Sequence, residues 1–215
     1  MARISLPDKE ARRLLGGGIV VLVTTAWHGQ HNVAPIIWHT PLSLEPPLIG
    51  IAVHPSRHTH DMIRYSQQFA INVPTPALMK HVQYTGVVTG ADTNKIEAAH
   101  LPTHKAEKVE APLLDYCIGW IECGVNDALR LGDHTLFIAE VASVTVEEEA
   151  FDGVWSLTPA DQRPVHYVGG PFYAMLERRI EVTLGRSEPE PGEEQGAYLP
   201  PEETDEERRR ESREA

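Results

Sequence analysis

The chain has 215 residues, 41% of them hydrophobic, and a formal net charge of −12 at pH 7. This length supports one sizeable domain or two small ones. The acidic charge argues against general binding to nucleic acid or to anionic membranes, since both need a basic face. The sequence has neither a run of about 18 apolar residues nor a signal-peptide core. We therefore expect a cytoplasmic protein with no nucleic-acid or membrane partner.

Short helices and extended segments follow one another in the first half of the chain. Residues 7–15 form a predicted amphipathic helix that three glycines end. β-Branched runs predict strands over 19–26 and 31–38, joined as a hairpin by a turn at Gly29. The remaining expected elements are a strand over 48–53, a helix over 58–67, a strand over 69–73 and a short helix over 76–84.

Residues 90–110 are polar, and we expect one helical turn near Lys95. Long strands are predicted over 115–126 and 135–147, with Asp127, Gly132 and Asp133 in the turn between them. The second strand should carry Leu136, Ile138, Ala142, Val144 and Val146 on one face. Many strands with few helices indicate a mainly β fold, a β-barrel with helical insertions.

A change of composition near residue 185 predicts two regions. Residues 1–185 should form the folded domain. Residues 186–215 contain 11 acidic residues and five arginines among prolines and few apolar residues. Such a tail is expected to be disordered, or to serve as an arm that orders on a partner subunit.

Cysteine and histidine give little support for a metal site. Cys117 and Cys123 lie six residues apart on a predicted strand, which places both on one face about 20 Å apart, as buried inert thiols. The eleven histidines do not combine with cysteine or carboxylate at zinc-site spacing. We expect no metal. The usual dinucleotide, P-loop, serine-hydrolase and zincin motifs are also missing from the sequence.

Two segments are candidate ligand sites, one for a flat ring and the other for a phosphate. Residues 32–43 read either as a strand edge whose free backbone groups border a ring, or simply as a bulged hairpin strand. Arg57 lies just before a predicted helix and can grip a phosphate in a bidentate way, with hydroxyls from Ser56 and Thr59 and the helix N-terminus beside it. Alternatively, the two hydroxyls only cap the helix.

Histidines mark two further candidates. His134 sits in a turn before a strong strand, where it could act as an acid, a base or a donor to a ligand. Ordinary turn chemistry at Asp133 is the alternative. Residues 166–173 read HYVGGPFY and could form an aromatic and imidazole wall over a pocket, or a segment that packs on the barrel.

Taken in order, several segments resemble the flavin reductase family of FMN-binding split barrels, in particular its flavoredoxin-like branch. The matching segments are VVLVTT at 20–25, NVAPIIWHTPLSLEPPLIGIAV at 32–53, RHTHDMI at 57–63, FAINVP at 69–74, IECGV at 121–125, GDHTLFIAEV at 132–141 and HYVGGPFY at 166–173. The order and rough spacing agree from about residue 15 to residue 175. The chain departs from the family pattern at Ile37, where serine or asparagine is common, and at His39, where an aromatic residue is common.

This resemblance implies a homodimer in which each FMN lies where the two barrels meet. The residues that would border the flavin ring are Asn32, Val33, Ala34, Pro35, Ile36, Ile37, Trp38 and Thr40. Those that would hold the phosphate are Ser56, Arg57 and Thr59, with Lys95 at the place of a common Asp-Lys pair. His134 and His166 would be the catalytic histidines, and Tyr173 would lie near the flavin.

The implied activity is that of an FMN-dependent oxidoreductase. It would pass reducing equivalents from NAD(P)H to free flavin, a ferric chelate or a partner monooxygenase. Three alternatives remain open at this point. They are an electron carrier that binds FMN without oxidising NAD(P)H, a metal or haem binder on the same kind of barrel, and a flavin-free binding module.

Overall fold

An antiparallel sheet of seven strands dominates the computed structural model, which describes residues 4–182. The strand order is β2-β1-β5-β8-β9-β4-β3. The large-sheet strands are β1 (Val21–Trp27), β2 (Gln30–Ile36), β3 (His39–Leu44), β4 (Pro47–Val53), β5 (Gln68–Pro74), β8 (Cys117–Leu131) and β9 (His134–Val146). Two small hairpins add β6 (Thr103–His104) with β7 (Leu113–Leu114), and β10 (His166–Gly169) with β11 (Phe172–Ala174).

The helices are short and lie between the strands. They are α1 (Ala11–Leu14), α2 (His58–Ser66), α3 (Met79–Val87) and α4 (Lys95–Ala98), with 3₁₀ turns at Asp8–Glu10, Pro76–Leu78, Glu148–Ala150 and Ala160–Gln162. This arrangement confirms the expected mainly β fold with helical insertions. No helix within residues 4–182 is both long and apolar enough to cross a membrane.

Alternation along the strands divides the core into two main apolar clusters. On β1, Leu22 packs in one cluster, while Val21 and Val23 pack in the other, because successive side chains of a strand point to opposite faces. The first cluster is covered by α3 and α4, which contribute Val82 and Ile96. Burial of β1 on both faces explains its continuous β-branched and apolar sequence.

Three details of the strands differ from the sequence-based expectation. The chain bends after Ile36, so 39–44 is a separate strand, β3, which pairs with β4. Asp127 lies within β8 rather than in the turn, because a bulge at Asn126 lets β8 continue to Leu131. On β9 the core side chains are Phe137 and Ala139, whereas the predicted apolar face with Leu136 and Ile138 is turned outward and only half-buried.

The two cysteines lie in different clusters, so the expectation of one shared face was wrong. Cys117 packs in the cluster of Trp120, and Cys123 packs in the cluster of Phe137. Register shifts beside Val73 and at Glu122 interrupt the strict alternation of β8. Burial raises the pKa of both thiols, that of Cys123 to about 12, which agrees with inert core residues.

The expected domain boundary and the acidic tail at 186–215 lie outside the described residues. Both stay predictions.

Candidate functional site

A cavity of about 580 Å³ opens between the ends of β2, β4 and α3 and the start of α2. This volume lies in the usual range for small-molecule sites. Its lining residues are Ala34, Pro35, Ile36, Ile37, Trp38, Ala52, Val53, His54, Ser56, Arg57, His58, Thr59, Thr85, Gly86, Val88, Thr89, Gly90, Lys95 and His134. Ten residues singled out in the sequence therefore meet in one place, although they come from four separate segments.

One end of the cavity is cationic. Arg57 occupies the N-cap position of α2, where no side chain caps the helix. Lys95 is buried at 4% exposure, and its Nζ donates to the backbone oxygen of Thr85 at 3.0 Å. Burial first, and the charge of Arg57 second, lower the pKa of Lys95 to about 8. Within residues 4–182 neither cation has a carboxylate partner within 4 Å, so this end suits a doubly negative group.

A buried cluster of polar side chains, formed by Asn32, Thr25 and Thr59, lies next to this end of the cavity. The Nδ2 of Asn32 donates to the hydroxyl of Thr59 at 2.9 Å and lies 3.5 Å from that of Thr25. Its Oδ1 is buried without a hydrogen-bond partner among the described residues. Gly90 packs directly on that oxygen, and a Cβ at position 90 would overlap it. Asn32 therefore holds the Thr59 hydroxyl and packs against Gly90 rather than lining the cavity.

The other end carries aromatic and imidazole rings. Trp38 and His134 lie with ring centroids 4.6 Å apart, and His54 contacts His134 edge-on at 5.3 Å. The Nδ1 of His134 donates to the carboxylate of Asp133 at 2.7 Å, and this hydrogen bond lowers the pKa of Asp133. The bond leaves Nε2 of neutral His134 as an acceptor. Ser56 is oriented by His54, whose Nδ1 accepts from the Ser56 backbone N–H at 3.1 Å.

Five of the predicted site residues lie outside this lining. Val33 is fully buried in the core, and Asn32 lies beneath the cavity. Thr40 is exposed on β3. His166 donates from Nδ1 to the carbonyl of Gly17 at 2.8 Å, and Tyr173 donates to Gln83 at 2.7 Å; both belong to a different part of the surface.

The segment from Thr85 to Gly90 was missed by sequence reasoning. It contributes one wall of the cavity, from the end of α3 to the loop after it. The only sequence signals were Gly86 and Gly90. Each lies against another segment: a Cβ at Gly86 would sit 3.0 Å from Pro35. Such close approaches are visible only once α3 is docked on β2.

A second cavity, of about 870 Å³, adjoins the first. The two share Ile37 and Trp38, which lie between β2 and β3. Its other lining residues are Arg12, Arg13, Leu15, Gly16, Gly17, Gly18, His39, Tyr167, Val168, Gly169, Gly170 and Phe172. The 166–173 segment thus closes this second cavity rather than the first.

No three histidine, cysteine, aspartate or glutamate side chains within residues 4–182 converge as metal ligands.

The family follows from comparison with known sequences. The model of the flavin reductase-like domain matches residues 13–173. The chain belongs to this flavin reductase-like family. The match spans all strands that build the first cavity, as well as residues 166–172, which close the second.

Named relatives of this flavin reductase-like chain include a monooxygenase component. The reductase component of 4-nitrophenol 4-monooxygenase/4-nitrocatechol 2-monooxygenase from Rhodococcus opacus is 30% identical over 171 residues, covering 78% of this chain and 80% of that protein. A protein from Archaeoglobus fulgidus with no assigned activity is 38% identical over 122 residues, covering 57% of this chain and 69% of that protein.

Solved structures agree on the fold. The flavoredoxin of Methanosarcina acetivorans superposes with a TM-score of 0.75 at 20% identity, covering 87% of this chain and 98% of that one. This likeness confirms the split-barrel architecture expected from the sequence.

Proposed function

We propose that this flavin reductase-like chain binds FMN in the first cavity and passes reducing equivalents from NAD(P)H to an acceptor. The acceptor would be free flavin, a ferric chelate or a partner monooxygenase. The observation that carries the proposal is one cavity that joins a carboxylate-free cationic end to an end lined by the rings of Trp38 and His134. Membership of the family supports the same reading.

The cationic end fits a phosphate ester. Arg57 would hold the phosphate through paired N–H donors, and Lys95 would supply a second positive charge beside it. The backbone N–H groups at the uncapped start of α2 add donors and a favourable dipole. A buried lysine that meets only a backbone carbonyl is costly without an anion. An anionic ligand gives that charge a partner.

The end with Trp38 and His134 suits a planar ring. Residues 34–38 offer backbone groups and small or aromatic side chains along one wall, and these would border the ring and exclude water from it. Fixed N–H donors there would stabilise negative charge on the ring. A bound flavin supplies hydride acceptance and electron transfer to an acceptor. His134, held by Asp133, would orient the dinucleotide or the acceptor through Nε2.

A second copy of the chain is part of the proposal. The outer face of β3, β4, β8 and β9 carries several exposed apolar side chains. Leu42 and Leu136 flank Gly50 there, and Leu129 is 43% exposed. A sheet face of this composition is typical of a subunit interface. We therefore propose a homodimer that buries this face.

The first test is the visible absorption spectrum of the freshly purified protein. We expect a flavin spectrum and release of FMN on denaturation, or uptake of added FMN by flavin-free protein. A colourless protein that takes up no FMN would contradict the proposal.

Substitution of Arg57 gives the sharper test. Arg57→Ala should weaken FMN binding about tenfold or more, because a charge-assisted contact to the phosphate is lost. His134→Ala should bind FMN almost as tightly as the parent chain. Titration of flavin-free protein with FMN measures both affinities, and riboflavin, which lacks the phosphate, serves as a control ligand. Equal FMN affinity in the two variants would refute this assignment.

An assay without any partner separates an enzyme from a carrier. If the chain oxidises NAD(P)H directly, steady-state consumption should appear with FMN and oxygen or ferric chelate alone. A flavin-loaded protein that leaves NAD(P)H unchanged would instead be an electron carrier.

A further inference from the structure

Residues from three parts of the chain close the second cavity. Gly17 and Gly18 exchange backbone hydrogen bonds with Tyr167, each at 3.1 Å. The Nδ1 of His166 donates a hydrogen bond to the carbonyl oxygen of Gly17. The third wall is Ile37, Trp38 and His39, and His39 donates from Nε2 to the carbonyl of Ile19 at 2.8 Å. The cavity is therefore a built feature of the fold, although the function proposed above makes no use of it.

The formal charges of its lining are all positive among the described residues. The Nε of Arg13 forms an ion pair with Oε2 of Glu10, at a distance of 2.6 Å. Arg12 has no carboxylate within 4 Å in residues 4–182. In a chain of net charge −12, a pocket whose lining has Arg12 and Arg13 as its only formal charges, with Arg12 free of a carboxylate, favours an anion. A guanidinium fork suits phosphate in particular.

The lining also contains aromatic rings. Phe172 is 69% exposed at the cavity, and Trp38 is 39% exposed on the shared wall. Tyr167 adds a third ring, packed edge-on against Tyr173 at 5.5 Å. Exposed rings of this kind are platforms on which a heteroaromatic base can stack.

Resting on the function proposed above, we propose that the second cavity binds the adenosine diphosphate half of the nicotinamide dinucleotide. Arg12, assisted by Arg13, takes the phosphates, and Phe172 with Tyr167 takes the adenine. The shared wall at Ile37 and Trp38 leads from this cavity to the ring end of the first. The nicotinamide of the same molecule can thus reach the ring end while its other half stays in the second cavity.

ADP and adenosine, titrated calorimetrically into the full chain loaded with FMN, test the proposal without relying on turnover. We expect ADP to bind, and Arg12→Ala to weaken ADP binding about tenfold while leaving adenosine unchanged. Phe172→Ala should weaken both ligands. Both side chains are exposed, so neither change threatens the fold. Arg64→Ala, an exposed arginine on α2 outside both cavities, is the matched control and should leave both affinities unchanged.

Kinetics give a second readout. Arg12→Ala should raise KM for the dinucleotide with little change in kcat, since it removes binding far from the reacting atoms. The proposal is overturned if the parent chain binds no ADP, or if Arg12→Ala and Arg64→Ala bind it equally. Failure of the proposed function would look different: the chain would take up no FMN, and ADP titration of the flavin-free chain would still decide the second cavity.

Discussion

Lys95 links the ligand affinity of the first cavity to pH. Its pKa of about 8 in the ligand-free chain means that it is charged below pH 8 and increasingly neutral above. A phosphate beside it favours the charged form. FMN binding above pH 8 must therefore take up a proton, and the affinity should fall by up to about tenfold per pH unit there.

Fluorescence titration with FMN between about pH 7 and about pH 9 measures this dependence. Lys95→Met should bind FMN more weakly at pH 7 and lose the slope above pH 8. The affinity for riboflavin, which has no phosphate, should not fall above pH 8 through the deprotonation of Lys95. An identical slope in the parent chain and in Lys95→Met would show that another group titrates.

A second single-residue prediction concerns Gly90. Because glycine has no side chain, the loop that contains Gly90 can pack directly on Asn32. Gly90→Ala should displace either the loop or Asn32, destabilise the chain by about 1–3 kcal/mol and weaken FMN binding. Gly124→Ala is the control, since a Cβ at that position of β8 meets no other atom within 4 Å. Urea unfolding and FMN titration report the two effects. Gly90→Ala behaving like Gly124→Ala would disprove the close-packing argument.

The site residues differ in how far the sequence could predict them. Arg57 and Ser56 could be recognised, because a basic residue and a hydroxyl at a helix start have a local chemical meaning. Asn32 has a role that depends on Thr59 and Gly90, which are 27 and 58 positions away, so no local pattern could reveal it. The assignment of Thr40 to the ring wall assumed that one strand continues, and the bend after Ile36 removes Thr40 from the cavity lining.

Among the elements, the loop of residues 105–112 between β6 and β7 owes its conformation to one buried carboxylate. Glu122 of β8 is 3% exposed and accepts from the backbone N–H groups of Glu107, Lys108 and Val109 at 3.2, 2.5 and 3.1 Å. These bonds satisfy donors that would otherwise be buried, and they hold the loop against the sheet. A surface loop without secondary structure is thereby given one conformation.

Glu122→Gln should therefore destabilise the chain by about 2–3 kcal/mol, because an amide offers one acceptor oxygen and turns N–H groups toward N–H donors. Glu140→Gln is the matched control on the neighbouring strand, where Glu140 is exposed and makes a single 3.3 Å contact with Asn126. Free energies of unfolding in urea compare the two. Equal stability of both variants would mean that Glu122 does not anchor the loop.

The strands themselves were largely predictable, and their ends were not. β1, β4 and β5 agree with their sequence patterns within two residues at either end, because burial on both faces demands unbroken apolar runs. β8 extends five residues further than expected. Its second half is exposed and mixes polar with apolar residues, and it stays extended through pairing with β9.

For the whole molecule, the outward apolar face predicts a dimer. Leu129→Lys should convert it to a monomer, because a charge on that face cannot be buried against its copy. Val154→Lys places the same charge on another exposed apolar position, outside the large sheet, and should leave the dimer intact. Light scattering during gel filtration measures the mass of each. A monomeric parent chain would contradict the proposed interface.

The second cavity exists only because the two ends of the domain meet. The contact between Gly17 and His166 joins positions 149 residues apart. No side chain of residues 12–18 is buried, so this contact rests mainly on the backbone hydrogen bonds with Tyr167 and on the His166 ring. It should therefore open before the barrel does. Access to the second cavity is then governed by a local opening equilibrium, whereas the first cavity is as permanent as the sheet that carries it.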